Sequence, residues 1–272
     1  MDLKKKLVKL REDRKAILAT NFYNYETLAG VLQAASEAGL PLILQLSESS
    51  IRYMGLKVAV AMAKSAIKQS GVKAWLHLDH GSSIEMVREC LDEGFDSVMI
   101  DASEKSLDEN IGITRKVVKI AGFYNACVEA ELGFIAKLGQ SHGSKGFTRP
   151  DEAARFAEST GVNSLAVAIG SAHGFYKLPP NLNIDLLSEI SSKTPVPLVL
   201  HGSSGIPDNM LIEAIKNGIC KINLATEIKN IFMLSLKEKL KDTTEIDLRI
   251  VFPDAIKAVK DLVGRKLQVI NH

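Results

Sequence analysis

The sequence is poor in the features that mark exported, membrane-spanning and nucleic-acid-binding proteins. It has three cysteines among 272 residues, an odd number without a C-x-x-C pair, so we expect no disulfide or cysteine-metal framework. No apolar run approaches the ~18 residues of a membrane span, and the N-terminal MDLKKKLVKLREDRKA lacks a signal-peptide core. The formal net charge is only +2, and no basic cluster alternates with aromatic residues. These absences favour a cytoplasmic protein with small-molecule partners, no nucleic acid and no membrane.

The sequence does contain a regular alternation of apolar runs with amphipathic stretches. Continuous apolarity is typical of parallel strands that helices cover on one face, and 272 residues are close to the length of about 250 typical of one (β/α)₈ barrel. The predicted strands are Ala16–Phe22, Pro41–Ser47, Ala74–His80, Ser97–Ser103, Ala126–Gly133, Ser164–Ser171, Pro197–Gly202 and Cys220–Thr226.

We therefore predict a single TIM-barrel domain over residues 1–272. An extra C-terminal helix, from Asp254 to about Lys266, is expected on the outside of the barrel or against a partner subunit. An open doubly wound sheet is the alternative fold. It is less favoured because eight units are evenly spaced and no G-x-G-x-x-G follows the first strand.

Three histidines lie near the carboxyl ends of predicted strands, where barrel enzymes build their active sites. They are His80, His173 and His201, after strands 3, 6 and 7. A single histidine there would more often be a hydrogen-bonded core residue, whereas three match the three protein ligands of a catalytic zinc ion. We predict one divalent metal, zinc, that polarises a substrate carbonyl and stabilises the adjacent enolate. His77 is expected to point inward from mid-strand.

Acidic residues end three neighbouring strands. Asp79 immediately precedes His80 and is the candidate acid or base for proton transfer at an α-hydroxy ketone. Its alternative role is an acceptor that fixes a loop N–H or a histidine tautomer. Asp101 and Glu131 end strands 4 and 5. They are candidates to orient the metal ligands, to bind a monovalent or second divalent cation, or to pair with nearby basic residues.

Two short segments after strands 7 and 8, HGSSG and NLAT, have the small and hydroxylated residues of phosphate-binding loops. This end of the barrel is also the usual phosphate position. A monophosphate beside a polarised carbonyl describes dihydroxyacetone phosphate. The candidate phosphate-binding residues are Gly174, Gly202, Ser203, Ser204, Asn223, Leu224, Ala225 and Thr226.

Six motifs in one order resemble the class II, metal-dependent ketose-bisphosphate aldolases: HLDHGSS, GFDSVMIDAS, VEAELG, TGVNSLAVAIGSAHGFYK, PLVLHGSSGIP and KINLATE. The resemblance covers nearly the whole chain. It implies a lyase that cleaves or forms a C–C bond of a phosphorylated ketose through an enediolate, giving dihydroxyacetone phosphate and an aldehyde. It also implies Asp79 as proton donor and acceptor, the three histidines as zinc ligands, and Asn21 and Ser47 as substrate-pocket residues. We expect a homodimer or homotetramer.

Within that family, Ala225 and Lys229 in NLATEIK resemble the tagatose-bisphosphate branch, because fructose-bisphosphate enzymes usually have aspartate at the first position. Lys229 is therefore a candidate for binding the distal group of the substrate. Relatives often place an arginine just before the last helix for that purpose. Here Pro253 takes the position and Arg249 is only nearby.

The segment after VEAELG departs from the family pattern. Relatives usually continue with a Gly-Gly-x-Glu-Asp loop, whereas FIAKLGQSHGSKGFTR, residues 134–149, has no acidic residue. Its glycines and serines predict a lid. We predict that Lys137 and Lys145 bind a phosphate or carboxylate on the aldehyde half.

Two other functions are considered. Lys221 has the inward parity of Asn223 on strand 8, so a Schiff-base aldolase is one alternative. The missing loop acid suggests the other, a catalytically weakened barrel that binds a sugar phosphate or supports a partner subunit. The three histidines and Asp79 argue against both.

Overall fold

The computed structural model describes residues 2–133, 135, 146–176 and 178–271. Eight parallel strands pair in chain order, and the first closes onto the last, where Ile17 pairs with Lys221. The predicted (β/α)₈ barrel is therefore confirmed. The strands are β1 (Ile17–Asn21), β2 (Leu42–Ser47), β3 (Ala74–Gly81), β4 (Ser97–Ile100), β5 (Cys127–Leu132), β6 (Ser164–Val167), β7 (Leu198–Leu200) and β8 (Ile219–Leu224).

The helices lie between the strands and at both ends of the chain. Across the described residues, no helix is long and apolar enough to cross a membrane. The helices are α1 (Leu3–Glu12), α2 (Tyr25–Ala38), α3 (Glu48–Met54), α4 (Leu56–Ser70), α5 (Ile84–Asp92), α6 (Leu107–Gly122), α7 (Pro150–Thr160), α8 (Ile184–Lys193), α9 (Asp208–Lys216), α10 (Thr226–Lys239), α11 (Leu248–Val251) and α12 (Pro253–Ile270).

Several strands are shorter than the apolar runs that predicted them. Strand 4 was expected to reach Ser103, but it ends at Ile100 because Asp101 Oδ1 accepts hydrogen bonds from both the backbone N–H and the hydroxyl of Ser103, which close a local turn. Strand 6 was expected to reach Ser171, but it ends at Val167. Gly170 then takes a φ of +113°, outside the range of a strand.

A helix that sequence reasoning did not identify closes the amino-terminal end of the barrel. One face of α1 buries Leu3, Leu7 and Leu10. These leucines form one apolar cluster with interior residues of the lowest barrel layer, among them Trp75 and Ile43. The other face is charged and faces solvent.

The final helix is longer than predicted and packs on the outside of the barrel, one of the two positions expected for it. It begins at Pro253 rather than Asp254 and runs to Ile270. Gly30 of α2 lies against it, where a Cβ atom would stand 2.7 Å from the Ile256 carbonyl oxygen and 2.9 Å from Val259 Cβ. The two helix backbones therefore approach too closely for any side chain at this point.

The middle of the barrel interior is polar, although TIM barrels usually fill it with branched apolar side chains. Hydrogen bonds link most of these side chains across the barrel, and each is at least 97% buried. We call this set the interior polar layer. Its members are Gln45, His77, Ser97, Glu129, Ser164 and Lys221.

Candidate active site

Three histidines meet at the carboxyl end of the barrel: His80 near the end of β3, and His173 and His201 in the loops after β6 and β7. The ring centroids of His80, His173 and His201 lie 4.7 to 5.9 Å apart. Glu131 at the end of β5 joins them, and one ligand atom from each of the four residues lies within 4.8 Å of the others. The structure thus brings together the three predicted ligands and adds a carboxylate to the group.

An unusual backbone conformation aims His80 into this group. Its φ is +53°, in the left-handed region that non-glycine residues rarely occupy, and the strand register shifts between Leu78 and Gly81. Simple strand alternation would point consecutive side chains to opposite faces. Instead, His80 Nε2 lies 4.0 Å from Asp79 Oδ1, so both side chains face one pocket. Such strain is tolerated chiefly at functional sites.

Two carboxylates fix the orientation of two of the histidines. His80 Nδ1 lies 2.8 Å from Asp101 Oδ2, and His201 Nε2 lies 2.9 Å from Glu129 Oε1. Burial alone would raise the pKa of Asp101, but hydrogen bonds from His80 and Ser103 hold it well below its usual range. Because an ionised carboxylate can only accept, each of these ring nitrogens carries the proton.

The remaining ring nitrogens then face one another. His80 Nε2 and His201 Nδ1 are 3.0 Å apart. Burial opposes protonation of His80, but its hydrogen bond to Asp101 and the charge of Asp79 raise its pKa to about 9, so without a metal ion a proton on His80 Nε2 can be shared with the lone pair of His201 Nδ1. A metal ion would displace that proton and be attracted to the lone pairs of both nitrogens. The chemistry of this donor set therefore fits a metal ion that takes nitrogen ligands, such as zinc.

Glu131 adds a second observation that fits a cation. Its side chain is 3% exposed, and among the described residues its Oε2 has no hydrogen-bond partner. Burial, together with the charges of Asp101 and Glu129, raises the pKa of Glu131 to about 8 against the opposing effect of His80. A buried oxygen of this kind, directed at three imidazoles, is a suitable metal ligand or a close neighbour of one.

Asp79 is held in place by two amides. Asn21 Nδ2 donates to its Oδ2 at 2.8 Å, and Gln45 Nε2 donates to its Oδ1 at 2.9 Å. Burial would raise the pKa of Asp79, but His80, His201 and the Asn21 hydrogen bond lower it below its usual value. Asp79 is therefore a carboxylate at neutral pH, which is the form that can accept a proton. Gln45 was not predicted, although a glutamine within the apolar run LILQLS was a signal.

Glu129 was also missed. Its Oε2 accepts hydrogen bonds from Lys221 Nζ at 2.8 Å and from Ser164 Oγ at 3.3 Å. Burial opposes ionisation of Glu129, but the Lys221 ammonium and His201 hold its pKa well below the usual range. His77 contacts Lys221 from the other side, and burial together with that ammonium lowers the pKa of His77 to about 3. Lys221 thus lies beneath the site in a buried ion pair.

Most predicted substrate residues surround a single small pocket beside the histidines. Three predicted residues take other positions: Ser203 is buried and donates to the Asn223 carbonyl oxygen, Leu224 lies in the apolar core, and the Ser47 hydroxyl caps α3. The pocket is lined by Asn21, Asp79, His80, His173, Gly174, His201, Gly202, Ser204, Asn223, Ala225 and Thr226.

The start of α10 forms one wall of this pocket. Ala225 is the N-cap residue and makes no side-chain cap hydrogen bond, and the Glu227 N–H in the first turn donates instead to Ser204 Oγ at 3.3 Å. Opposite this end, Gly202 has a φ of +67°, and a Cβ atom there would lie 2.4 Å from the Ala172 carbonyl oxygen. The positive end of the helix dipole and the backbone N–H groups at a helix N-terminus favour an anion.

Tyr176, which sequence reasoning did not identify, joins the two loops that carry His173 and His201. Its hydroxyl accepts a hydrogen bond from the backbone N–H of Ala172 at 2.9 Å and donates to the Gly202 carbonyl oxygen at 2.7 Å. The spacing His-x-x-Tyr was the only sign of this contact in the sequence.

The candidates for binding the distal group are scattered. Lys229 Nζ lies 5.4 Å from the ring centre of Tyr23, which stands near Asp79 at the rim of the site. The guanidinium of Arg249 is 89% exposed and makes a bidentate contact with Asp247 at the surface. Lys137 and Lys145, with most of the predicted lid, lie outside the described residues.

Comparison with known proteins identifies the family. The family described as "Fructose-bisphosphate aldolase class-II" matches residues 1–272. A fructose-bisphosphate aldolase of Helicobacter pylori is 34% identical over 97% of this chain and 96% of its own. A D-tagatose-1,6-bisphosphate aldolase subunit GatY of Klebsiella oxytoca is 36% identical, over 98% and 95%.

Two further relatives widen the comparison. A 6-phospho-5-dehydro-2-deoxy-D-gluconate aldolase of Bacillus licheniformis is 36% identical over 98% of this chain and 94% of its own. The crystal structure of the YdjI aldolase from Escherichia coli K12 superposes with a TM-score of 0.89 at 34% identity, covering 99% of this chain and 96% of that one. The chain therefore belongs to the class II fructose-bisphosphate aldolase family and is a metal-dependent aldolase, a carbon–carbon lyase that acts on phosphorylated ketoses.

Proposed function

We propose that the chain is a zinc-dependent aldolase that interconverts a ketose bisphosphate with dihydroxyacetone phosphate and an aldehyde. One observation carries the proposal: three histidines, an ionised Asp79 and the N-terminus of α10, whose N-cap residue has no capping side chain, surround the same pocket. An aldolase needs a Lewis acid, a base and an anion site within the span of one small substrate. This pocket combines candidates for all three.

His80, His173 and His201 would hold the zinc ion, and three protein ligands leave a position open for substrate. Zinc bound there would polarise the ketone carbonyl and stabilise the negative charge that develops on its oxygen. Asp101 is engaged with His80 Nδ1, which supports a role in orienting that ligand. Glu131, whose Oε2 has no hydrogen-bond partner in the part of the chain that the structure describes, is the better candidate for contacting this cation or a second one.

Asp79 is the proposed proton carrier. In the condensation direction it accepts a proton from the hydroxymethyl carbon of dihydroxyacetone phosphate and then gives that proton to the aldehyde oxygen as the C–C bond forms. In cleavage it takes the proton from that hydroxyl group as the bond breaks and returns it to the carbon. Asn21 and Gln45 hold both of its oxygens, which keeps the carboxylate pointed at the reacting carbon. The amide groups at Gly174, Gly202 and the start of α10 would bind the phosphate.

The substrate that we propose to test first is tagatose 1,6-bisphosphate. The supporting observations are Ala225 and Lys229, which match the tagatose branch, and Lys229 Nζ at the rim beside Tyr23. The names of the relatives imply three different substrates, so the choice rests on these two residues. A distal-group site on Lys137 and Lys145, a homodimer or homotetramer, a cytoplasmic location and a single domain stay predictions.

The test begins with metal-free protein. Chelated enzyme should be inactive, one zinc or cobalt ion per chain should restore cleavage, and dihydroxyacetone phosphate release can be followed with a coupled NADH assay. Tagatose and fructose 1,6-bisphosphates and the matching 1-phosphates form the substrate panel. Full activity in excess chelator, or inactivation by borohydride in the presence of substrate, would overturn the proposal in favour of a Schiff base.

A further inference from the structure

The interior polar layer contacts the candidate metal ligands through Glu129. Glu129 Oε1 lies 2.9 Å from His201 Nε2, while its Oε2 accepts from Lys221 Nζ at 2.8 Å. Ser164 Oγ donates to the same Oε2, so both carboxylate oxygens are occupied. Lys221 Nζ also lies 3.3 Å from His77 Nε2. A continuous hydrogen-bonded chain therefore runs from the middle of the barrel to one ligand.

Filling the barrel interior with this hydrogen-bonded network costs free energy, because two charged side chains lose their hydration. Lys221 and Glu129 are each 1% exposed, and a buried ion pair can often be replaced by packed apolar side chains without loss of stability. Branched apolar residues are also the usual filling at this level of a TIM barrel. A role in stability alone therefore gives no reason for an ammonium and a carboxylate at these positions.

The directions of the hydrogen bonds supply a reason. A carboxylate can only accept, so Glu129 requires the proton of His201 to be on Nε2. The lone pair of His201 is then on Nδ1, which lies 3.0 Å from His80 Nε2 in the group of candidate ligands. The amide of Asn223 lies 3.1 Å from the same Nε2, but an amide can turn to donate or accept and therefore does not select the tautomer.

We propose that Lys221 and Glu129 are positioning residues for the metal: Lys221 holds the buried Glu129 carboxylate in place, and Glu129 holds His201 with Nδ1 free to bind the ion. This inference rests on the proposed function, because it assumes that His201 is a ligand. It assigns to Lys221 a task other than forming a Schiff base. Neither residue touches the substrate pocket.

Substitution should weaken metal binding from a distance. In Glu129→Gln, Lys221 and Ser164 would hold the amide oxygen, so the NH₂ group would donate to His201 Nε2 and place the ring proton on Nδ1, where it blocks the ion. In Lys221→Met, the carboxylate loses the cation that holds it and can turn away from His201. Loss of a partner of this kind typically costs about 10- to 100-fold in metal affinity.

The experiment compares Lys221→Met, Glu129→Gln and the double variant with wild type. The double variant removes both charges, so it should fold even if a single variant leaves a buried charge unpaired and does not. The matched control is Lys266→Met with Asp208→Asn, which removes an exterior ion pair of 3.0 Å between α12 and α9. Zinc affinity is measured by competition with a chromophoric chelator, and the cobalt absorption spectrum reports the ligand geometry.

We expect zinc affinity to fall by about 10- to 100-fold in the double variant with an altered cobalt spectrum, and not in the control. A purely structural role would lower the melting temperature while the folded protein kept wild-type affinity, and that result would overturn the inference. The ¹⁵N shifts of the His201 ring in wild-type apoprotein provide a check without substitution, since a proton on Nδ1 also refutes it. Failure of wild type to bind zinc would instead refute the proposed function.

Discussion

Replacing Asp79 by asparagine tests proton transfer with little change in shape. The new side-chain NH₂ would face a donor, either Asn21 Nδ2 or Gln45 Nε2, where Asp79 now accepts. Asn21 Oδ1 and Gln45 Oε1 are both buried without a partner in the described structure. A half-turn of either amide therefore provides the acceptor that the variant needs. We expect Asp79→Asn to fold.

The expected magnitudes follow from these contacts. Turning one amide leaves about one buried donor unsatisfied, a cost of about 1 kcal/mol, or about 2–4 °C in melting temperature for a chain of this size. Loss of a positioned acid or base lowers turnover by about 10²- to 10⁴-fold, and 10²-fold corresponds to about 2.7 kcal/mol of activation free energy. KM should change little, because the phosphate would be bound by other groups.

The assay combines kcat and KM with metal analysis and thermal melting. The control is Asp101→Asn, which alters the partner of His80 Nδ1 and should weaken metal binding while turnover per bound ion stays close to wild type. If Asp79→Asn loses zinc but keeps wild-type turnover per bound ion, the reasoning is refuted, and Asp79 only orients the site.

Three further predictions use the same assays. His173→Ala and His201→Ala should each lose most bound zinc, because two imidazoles do not make a three-ligand site; full occupancy in either variant removes that residue from the ligand set. Tyr176→Phe should raise KM roughly tenfold, about 1.4 kcal/mol, by loosening the two loops it joins; an unchanged KM contradicts this. Lys229→Met should raise KM for the bisphosphate only, and an equal rise for the 1-phosphate would show that Lys229 does not bind the distal group.

The barrel was predictable from the sequence because each of its strands has a recognisable local pattern of apolar residues. Each parallel strand is covered by helices on one face and core on the other, so it appears as an apolar run, and eight such runs alternate with amphipathic stretches. Strand ends were less predictable. Residues such as Ala102 and Ala168 continue the apolar run past the last ladder hydrogen bond, and only the turn at Asp101 and the backbone at Gly170 end the strands.

The helix α1 was missed for a different reason. Its sequence LKKKLVKLRE contains the periodic leucines Leu3, Leu7 and Leu10, but the four lysines and one arginine around them suggest a solvated segment. The helix buries only a narrow stripe, and the surface it covers exists only after the barrel has closed. When the surface that buries a helix comes from distant parts of the chain, the sequence of the helix alone gives only a weak signal.

In the candidate site, too, the positions of the main residues were predictable from the sequence, whereas one backbone conformation was not. His80, His173, His201 and Asp79 could be found because a closed barrel brings the ends of all its strands to one face, so position along the strand is enough. The conformation of His80 could not be found, since a φ of +53° has no sequence signature beyond the glycine that follows.

The interior polar layer shows where sequence reasoning stops. The alternation in CVEAEL already gave Glu129 the inward parity of Glu131, and Lys221 the parity of Asn223, so both could be placed inside the barrel. The ion pair between them could not be predicted, because β5 and β8 are not neighbours and the two side chains meet only across the closed interior. Two strands that are not neighbours can bring their side chains into contact through the centre only after the sheet has closed into a barrel. The residues that would orient His201 therefore become visible only when the ring of strands is complete.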